Sequence, residues 1–386
     1  MRVFVGARLF DGHRLQRDAA LVVEGGAIVA VTSYAERPRS VDQRDLGGGI
    51  LAPGFVDWQV NGGGGVLFNE TPTPEGIQAI VEAHRRFGTT AMLPTLITDS
   101  PTKLEAALKA AGEARGRTPG ALGIHVEGPF IDPRRKGAHP PEWIRAMRDA
   151  DADALIEGRT GVMVVTLAPA AASNDQISKL AQSGIVVSVG HSDATAEEAR
   201  AAFDAGARAV THLYNAMSQL GHRTPGLVGA ALVDPRVVCG FIADGFHVHE
   251  IAGRIAYNAK GPSGIALISD AMPPAASGPS VYELQGRRVN QVGLKLTLED
   301  GTLAGAAITM LDAVRYSVST LGIDVAAALE MATLTPARLL RIDDSHGRLR
   351  AGARADLVHL SDDLDLKGVW IAGDESAVFG GSEFPA

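Results

Sequence analysis

Four residues stand where an apolar run stops and a polar loop begins, and their types suit hydrolysis at a metal centre. Glu127 closes Ile124-His125-Val126-Glu127, His191 closes Ser188-Val189-Gly190-His191, His212 follows Thr211, and Asp270 closes Ile268-Ser269-Asp270. A carboxylate and two imidazoles are a standard set for a catalytic divalent ion, because three protein ligands leave one position open. A bound ion lowers the pKa of water toward neutrality and polarises an amide carbonyl. Asp270 remains as a base toward that water and an acid toward a leaving amine. Taken singly, each has a structural reading: Glu127 as an N-cap or ion-pair partner, His191 and His212 as hydrogen-bonded interior residues, Asp270 as a helix cap. Gaps of 64 and 21 residues between the ligands form no local motif. The argument therefore rests on all four occupying equivalent places in a repeated fold.

That fold is legible in the apolar runs. From Pro53 onward, strands alternate with amphipathic helices, the signature of a parallel sheet with crossover helices. Eight strands are predicted, at Gly54 to Gln59, Thr90 to Pro94, Leu122 to Glu127, Val162 to Leu167, Ile185 to His191, Ala209 to Leu213, Val237 to Ala243 and Ile265 to Asp270. Helices beginning at Ser, Thr or Ala are predicted over Thr73 to Phe87, Ser100 to Ala114 and Ala194 to Ala205. Eight such units point to an α/β fold, a closed (β/α)8 barrel, whose reactive groups come from the carboxyl ends of its strands. The first fifty residues and the tail instead read as short strands, so residues 1–50 plus 345–386 are expected to form one small discontinuous β-sandwich. Residues 51–344 are expected to be the barrel, with a β insertion near 281–300.

The remaining histidines sort by position. His125 shares a strand face with Glu127 and reads as an interior residue behind the ligands. His13, His84, His346 and His359 lie outside the predicted rim. His139, in Lys136-Gly137-Ala138-His139-Pro140, follows strand three on a loop that can pass over the site, where it would bind a carbonyl oxygen.

Composition excludes several alternatives. Thirty-six basic against 44 acidic residues give a net charge of −8, and no basic run exceeds Pro133-Arg134-Arg135-Lys136. A nucleic-acid footprint is missing. The single cysteine, Cys239, excludes an internal disulfide. With no secretory leader at Met1-Arg2-Val3-Phe4-Val5 and no apolar run of spanning length, the expected setting is cytoplasmic, without a membrane partner.

The runs Pro53-Gly54-Phe55-Val56-Asp57, His125-Val126-Glu127-Gly128-Pro129-Phe130, Gly190-His191-Ser192, Thr211-His212-Leu213-Tyr214-Asn215-Ala216-Met217 and Ser269-Asp270-Ala271-Met272 resemble those of the N-acetylglucosamine-6-phosphate deacetylases of the amidohydrolase superfamily, over nearly the whole chain. The resemblance implies metal ligation by Glu127, His191 and His212, catalysis by Asp270, and contacts to sugar and carbonyl from Ala138 and His139. It further implies sugar and phosphate contacts from Asn215, Ala216 and Arg223, from Asp244, Gly245, Phe246 and His247, and from the Leu303-Ala304-Gly305-Ala306 segment. Without it, Arg223 reads as a surface arginine and His247 as a structural residue. One divalent ion per subunit is implied, zinc first, with iron, manganese or cobalt as alternatives, together with a small sugar phosphate as substrate and a homodimer.

Two departures bear on the chemistry. Many amidohydrolases carry His-x-His at the end of strand one, where this chain has Gln59-Val60-Asn61, and an amide is a poor zinc ligand. A single-metal centre is expected, with Gln59 and Asn61 marking a vestigial second position. Ala306 stands where the family commonly has Ser, so a contact there must come from the backbone. The expected reaction is deacetylation of N-acetylglucosamine 6-phosphate. The galactosamine epimer is the alternative, and a catalytically silent sugar-phosphate binder is a further one.

Overall fold

The computed structural model describes residues 1–276 and 281–376. Eight parallel strands form the central sheet in strict chain order: Phe55–Val60, Thr89–Ile97, Gly123–Glu127, Val162–Leu167, Val186–Val189, Ala209–Val210, Val238–Phe241 and Ile265–Leu267. The first and last strands meet through a single Val60–Ala271 bridge, reinforced by Asp270 N–H to Gln59 O (3.0 Å) and Asn61 N–H to Ala271 O (2.9 Å). The barrel interior is filled by side chains such as Trp58, His125, Val164, Thr166 and Ser188, all fully buried. Helices on the outside start where polar caps dictate. Thr73, Ser100 and Thr195 accept N–H groups from Gly76, Lys103 and Glu198, so the helices run Pro74–Arg85, Pro101–Arg115 and Ala196–Asp204.

Four strands end earlier than the sequence predicts, among them the seventh, which stops at Phe241 rather than Ala243. The fifth stops at Val189, the sixth at Val210 and the eighth at Leu267, each two or three residues short of His191, His212 and Asp270. The cause is local: those three residues have φ of 46°, 33° and 47°. A non-glycine residue in this left-handed region ends the pleat and turns its side chain out of the alternation of a strand.

Both ends of the chain build the second unit. One sheet holds Ala27–Ser33, Ala19–Glu24, Arg2–Val5 and Asp42–Asp45; the other runs from Asp374–Ser376 through Leu366–Ile371, Leu357–Leu360 and Ile50–Pro53 to Arg8–Phe10 and Leu15–Gln16. Phe4, Leu21, Leu51, Leu357 and Trp370 share a core between them, with Phe4 edge-on to Trp370 at 5.2 Å. The Ile50–Pro53 strand belongs to this sheet, so the barrel proper begins at Phe55. A third sheet, Val281–Leu284, Arg287–Val292, Lys295–Leu298 and Leu303–Ala306, is the predicted insertion, and it runs six residues beyond the expected limit of 300. Leu284, Val289, Leu296 and Ala304 pack it onto Leu67, Ile97 and Met272 at the barrel mouth.

Candidate metal centre and substrate cavity

The ends of strands three, five and six bring three ligand atoms together. Glu127 Oε1 lies 3.1 Å from both His191 Nε2 and His212 Nε2, and the two nitrogens are 3.0 Å apart. All three side chains are at most 6 % exposed. His191 Nδ1 sits 2.8 Å from the Arg135 carbonyl, which can only accept, so this nitrogen carries the ring proton when His191 is neutral. Its Nε2 lone pair then faces a carboxylate oxygen. Two acceptors at that distance call for a cation between them, and a divalent ion on this carboxylate and pair of imidazoles fits the donor set.

The electrostatics agree. Burial alone would raise the Glu127 carboxyl, yet the adjacent His191 and His212 rings, where protonated, hold it well below the usual range. Burial would lower His212, but the Glu127 carboxylate raises it. His139 also offers a ligand atom within 4.8 Å of those of Glu127 and His191. The Glu127, His191 and His212 triangle is the tighter set, and one His139 nitrogen is committed elsewhere.

That commitment is to Thr98. His139 Nδ1 accepts the Thr98 backbone N–H at 3.4 Å and lies 2.7 Å from Thr98 Oγ1, which places the proton of the neutral ring on Nε2. Burial and the neighbouring His191 keep this ring neutral. The loop that carries it is tied down from the insertion: Arg287 donates to the Ala138 carbonyl, and Gln285 Nε2 donates to the Thr98 carbonyl at 2.8 Å.

Gln59 and Asn61 grip the fourth residue. Asn61 Nδ2 and Gln59 Nε2 donate to Asp270 Oδ1 at 2.7 and 3.0 Å, and Gln59 Nε2 reaches Glu127 Oε2 at 3.2 Å. Their own oxygens, Gln59 Oε1 and Asn61 Oδ1, are buried without a partner among the described residues. Orientation is thus set by the carboxylates. Asp270 Oδ2 has no protein hydrogen bond among those residues and is the oxygen left for chemistry. Burial, then the Glu127 charge, raises the Asp270 carboxyl to about 6, within reach of proton exchange near neutrality.

These groups line a cavity of about 380 Å³ at the barrel mouth, shared with Asn61, Ala138, Asn215, Ala216, His247, Leu303, Ala304 and Gly305. Other expected residues lie elsewhere. Gln59 is behind Asp270, and Ala306 is fully buried with its N–H bonded to the Asp270 carbonyl. Arg223 is exposed and does not line the cavity, nor do Gly245 and Phe246. Asp244 acts through its neighbour: Oδ2 holds His247 Nδ1 at 2.7 Å, while Oδ1 accepts the N–H groups of Phe246 and His247. His125 faces interior hydroxyls, 2.7 Å from Thr166 Oγ1, and His84 bonds the Gly62 carbonyl, both away from the cavity as expected.

Sequence reasoning missed Arg134 and Arg135, which line the cavity, and Thr98, which sets the His139 tautomer. The arginines were visible only as the longest basic run. Thr98 carried no signal, because its partner lies 41 residues on.

Comparison with known proteins matches the geometry. The model of the amidohydrolase family matches residues 50–375. This chain belongs to the amidohydrolase family. An N-acetylgalactosamine-6-phosphate deacetylase of Shewanella sp. (strain ANA-3) is 40% identical over 97% of the chain and 95% of the relative. An N-acetylglucosamine-6-phosphate deacetylase of Bos taurus is 38% identical over 96% and 94%. The crystal structure of the N-acetylglucosamine-6-phosphate deacetylase from Pasteurella multocida superposes with a TM-score of 0.94 at 33% identity, covering 97% of this chain and 99% of that one. Among amidohydrolases this chain carries amides, Gln59 and Asn61, at the end of strand one, and they serve the Asp270 and Glu127 carboxylates.

Proposed function

We propose that the chain hydrolyses the acetamide of N-acetylglucosamine 6-phosphate to glucosamine 6-phosphate and acetate. The carrying observation is the tethered Asp270: a carboxyl near neutrality, fixed through one oxygen and free at the other, beside a ligand set built for one divalent ion. Glu127, His191 and His212 hold that ion, zinc first among candidates. When bound, it supplies Lewis acidity toward a carbonyl and a lowered pKa for water. Asp270 Oδ2 takes a proton from the attacking water and passes it to the departing amine. His139 donates from Nε2 to the acetamide oxygen as negative charge grows there, a group whose removal typically costs 10²–10³ in rate. His247, oriented by Asp244, and the Asn215-Ala216 turn face the sugar phosphate, with Ala138 and the Leu303-Ala304-Gly305 strand on the other wall. Arg223, exposed outside the cavity, is a further phosphate contact by family resemblance, and a homodimer in a cytoplasmic setting completes the proposal.

The galactosamine epimer is a second reading, favoured by the Shewanella relative at 40% identity. Comparing kcat/KM on the two acetamido sugar 6-phosphates separates them, with a higher value expected for the glucosamine substrate. Acetate release should vanish on dialysis against a chelator and return with one equivalent of zinc. Full activity in metal-free protein would refute the proposal.

A further inference from the structure

The crevice on the opposite face of the barrel is a second anion site, which we propose takes a small molecule carrying two phosphate groups. This crevice, of about 1000 Å³, is lined by Leu122, Val162 and Val186 at the amino-terminal starts of three barrel strands. Its other wall comes from the Leu340 to His346 segment, from Arg354, and from Ile371 and Ala372 at the end of a strand of the six-stranded sheet. Junctions between two units are common places for small-molecule sites. This one is more than twice the size of the cavity at the mouth and shares no residue with it.

Charge gives the ligand class. Five arginines line the crevice (Arg115, Arg117, Arg159, Arg341 and Arg354) and no Asp or Glu does. Arg354 is taken by Asp356 at 2.7 and 3.1 Å. The other four guanidinium groups have no ion pair or hydrogen bond among the described residues. In a chain of net charge −8, four unpaired cations in one concavity run against the overall balance.

A plainer account is that arginines here only complement helix ends, since the helices Pro101–Arg115, Asp149–Glu157 and Leu334–Leu339 finish at or beside the crevice. Each helix end supplies about −0.5 charge, so three offset roughly −1.5 of four positive charges. More than half the excess remains. The Arg115 side chain lies close over Gly161, where a Cβ would stand 2.6 Å from its Cδ. A phosphate monoester carries about −1.5 to −2 near neutrality, and arginine binds it through paired N–H donors. Two such groups match four guanidinium groups.

The test is calorimetric titration of the metal-loaded full chain with fructose 1,6-bisphosphate as probe. One site per chain is expected, with affinity at least tenfold weaker in a variant combining Arg117→Gln, Arg159→Gln and Arg341→Gln. All three residues are exposed and unpaired, so that variant should keep the parent's melting temperature. Inorganic phosphate, engaging one half of the site, should bind more weakly than the bisphosphate. A His247→Ala variant, altered at the mouth, should keep full affinity. Equal affinity in the parent and the triple variant, a loss confined to His247→Ala, or no binding at millimolar probe overturns the proposal.

Discussion

Asn61→Leu separates positioning from folding more sharply than any other change at the site. Asn61 Nδ2 makes the shorter of the two amide bonds to Asp270 Oδ1, 2.7 Å against 3.0 Å from Gln59. A hydrogen bond to a charged group contributes about 1.5–3 kcal/mol. If its role is to hold the carboxylate in place for proton transfer, its loss lowers kcat by roughly 10- to 150-fold at 1.36 kcal/mol per decade. Folding should not suffer in proportion, because the substitution also removes Asn61 Oδ1, a buried oxygen without a partner among the described residues. An unsatisfied polar atom costs about 1–3 kcal/mol, which offsets the lost bond. The backbone bonds of Asn61, to the Ala271 carbonyl and from the Phe68 N–H, are untouched. Steady-state assay of acetate release, metal content by mass spectrometry and thermal denaturation should be read together. The expected pattern is a lower kcat, a KM within threefold of the parent, one metal ion per chain and an unchanged melting temperature. A kcat within threefold of the parent, or a loss that tracks missing metal, refutes the reasoning.

Asp270→Asn should retain one metal ion and lose at least 10²-fold in kcat, the low end for general acid and base catalysis; near-parental turnover would remove Asp270 from its role. His139→Ala should lose 10²–10³ in kcat with metal retained, the effect of deleting one carbonyl donor, as measured by the same assay. Asp57 predicts a pH effect on stability. Burial pushes its carboxyl up to about 7, above the 3.8 of an exposed aspartate, so the folded chain keeps a proton that the unfolded chain releases. Its stabilising contribution is complete below about pH 4 and is lost as pH rises through about 7. Asp57→Asn, which mimics the protonated form, should therefore narrow the drop in melting temperature between pH 5 and pH 8; an unchanged drop would show that Asp57 does not govern it.

What could be read in advance follows from the range of the forces involved. Apolar alternation and polar caps act within a turn or a strand, so the eight strands and the starts at Thr73 and Ser100 were legible. Glu127, His191, His212 and Asp270 were legible because a barrel gathers its strand ends on one rim. The left-handed backbone at His191, His212 and Asp270 was not, since neither histidine nor aspartate requires it. Gln59 and Asn61 could be seen to be poor metal ligands. That they bind Asp270, more than 200 residues away, could not. The same holds for Arg135, whose carbonyl fixes the His191 tautomer from 56 residues upstream.

The small domain also sets a schedule for biosynthesis. Its Ile50–Pro53 strand hydrogen-bonds to Leu357–Leu360, so this edge finds its antiparallel neighbour only after roughly 300 further residues have been made. At ribosomal rates of about 5–20 residues per second, that is some 15 to 60 s. Throughout that interval the nascent chain carries an apolar, half-paired edge able to join another polypeptide. Pairing of these two segments therefore waits until residues 357–360 have been made, and the edge stays open to other chains until then.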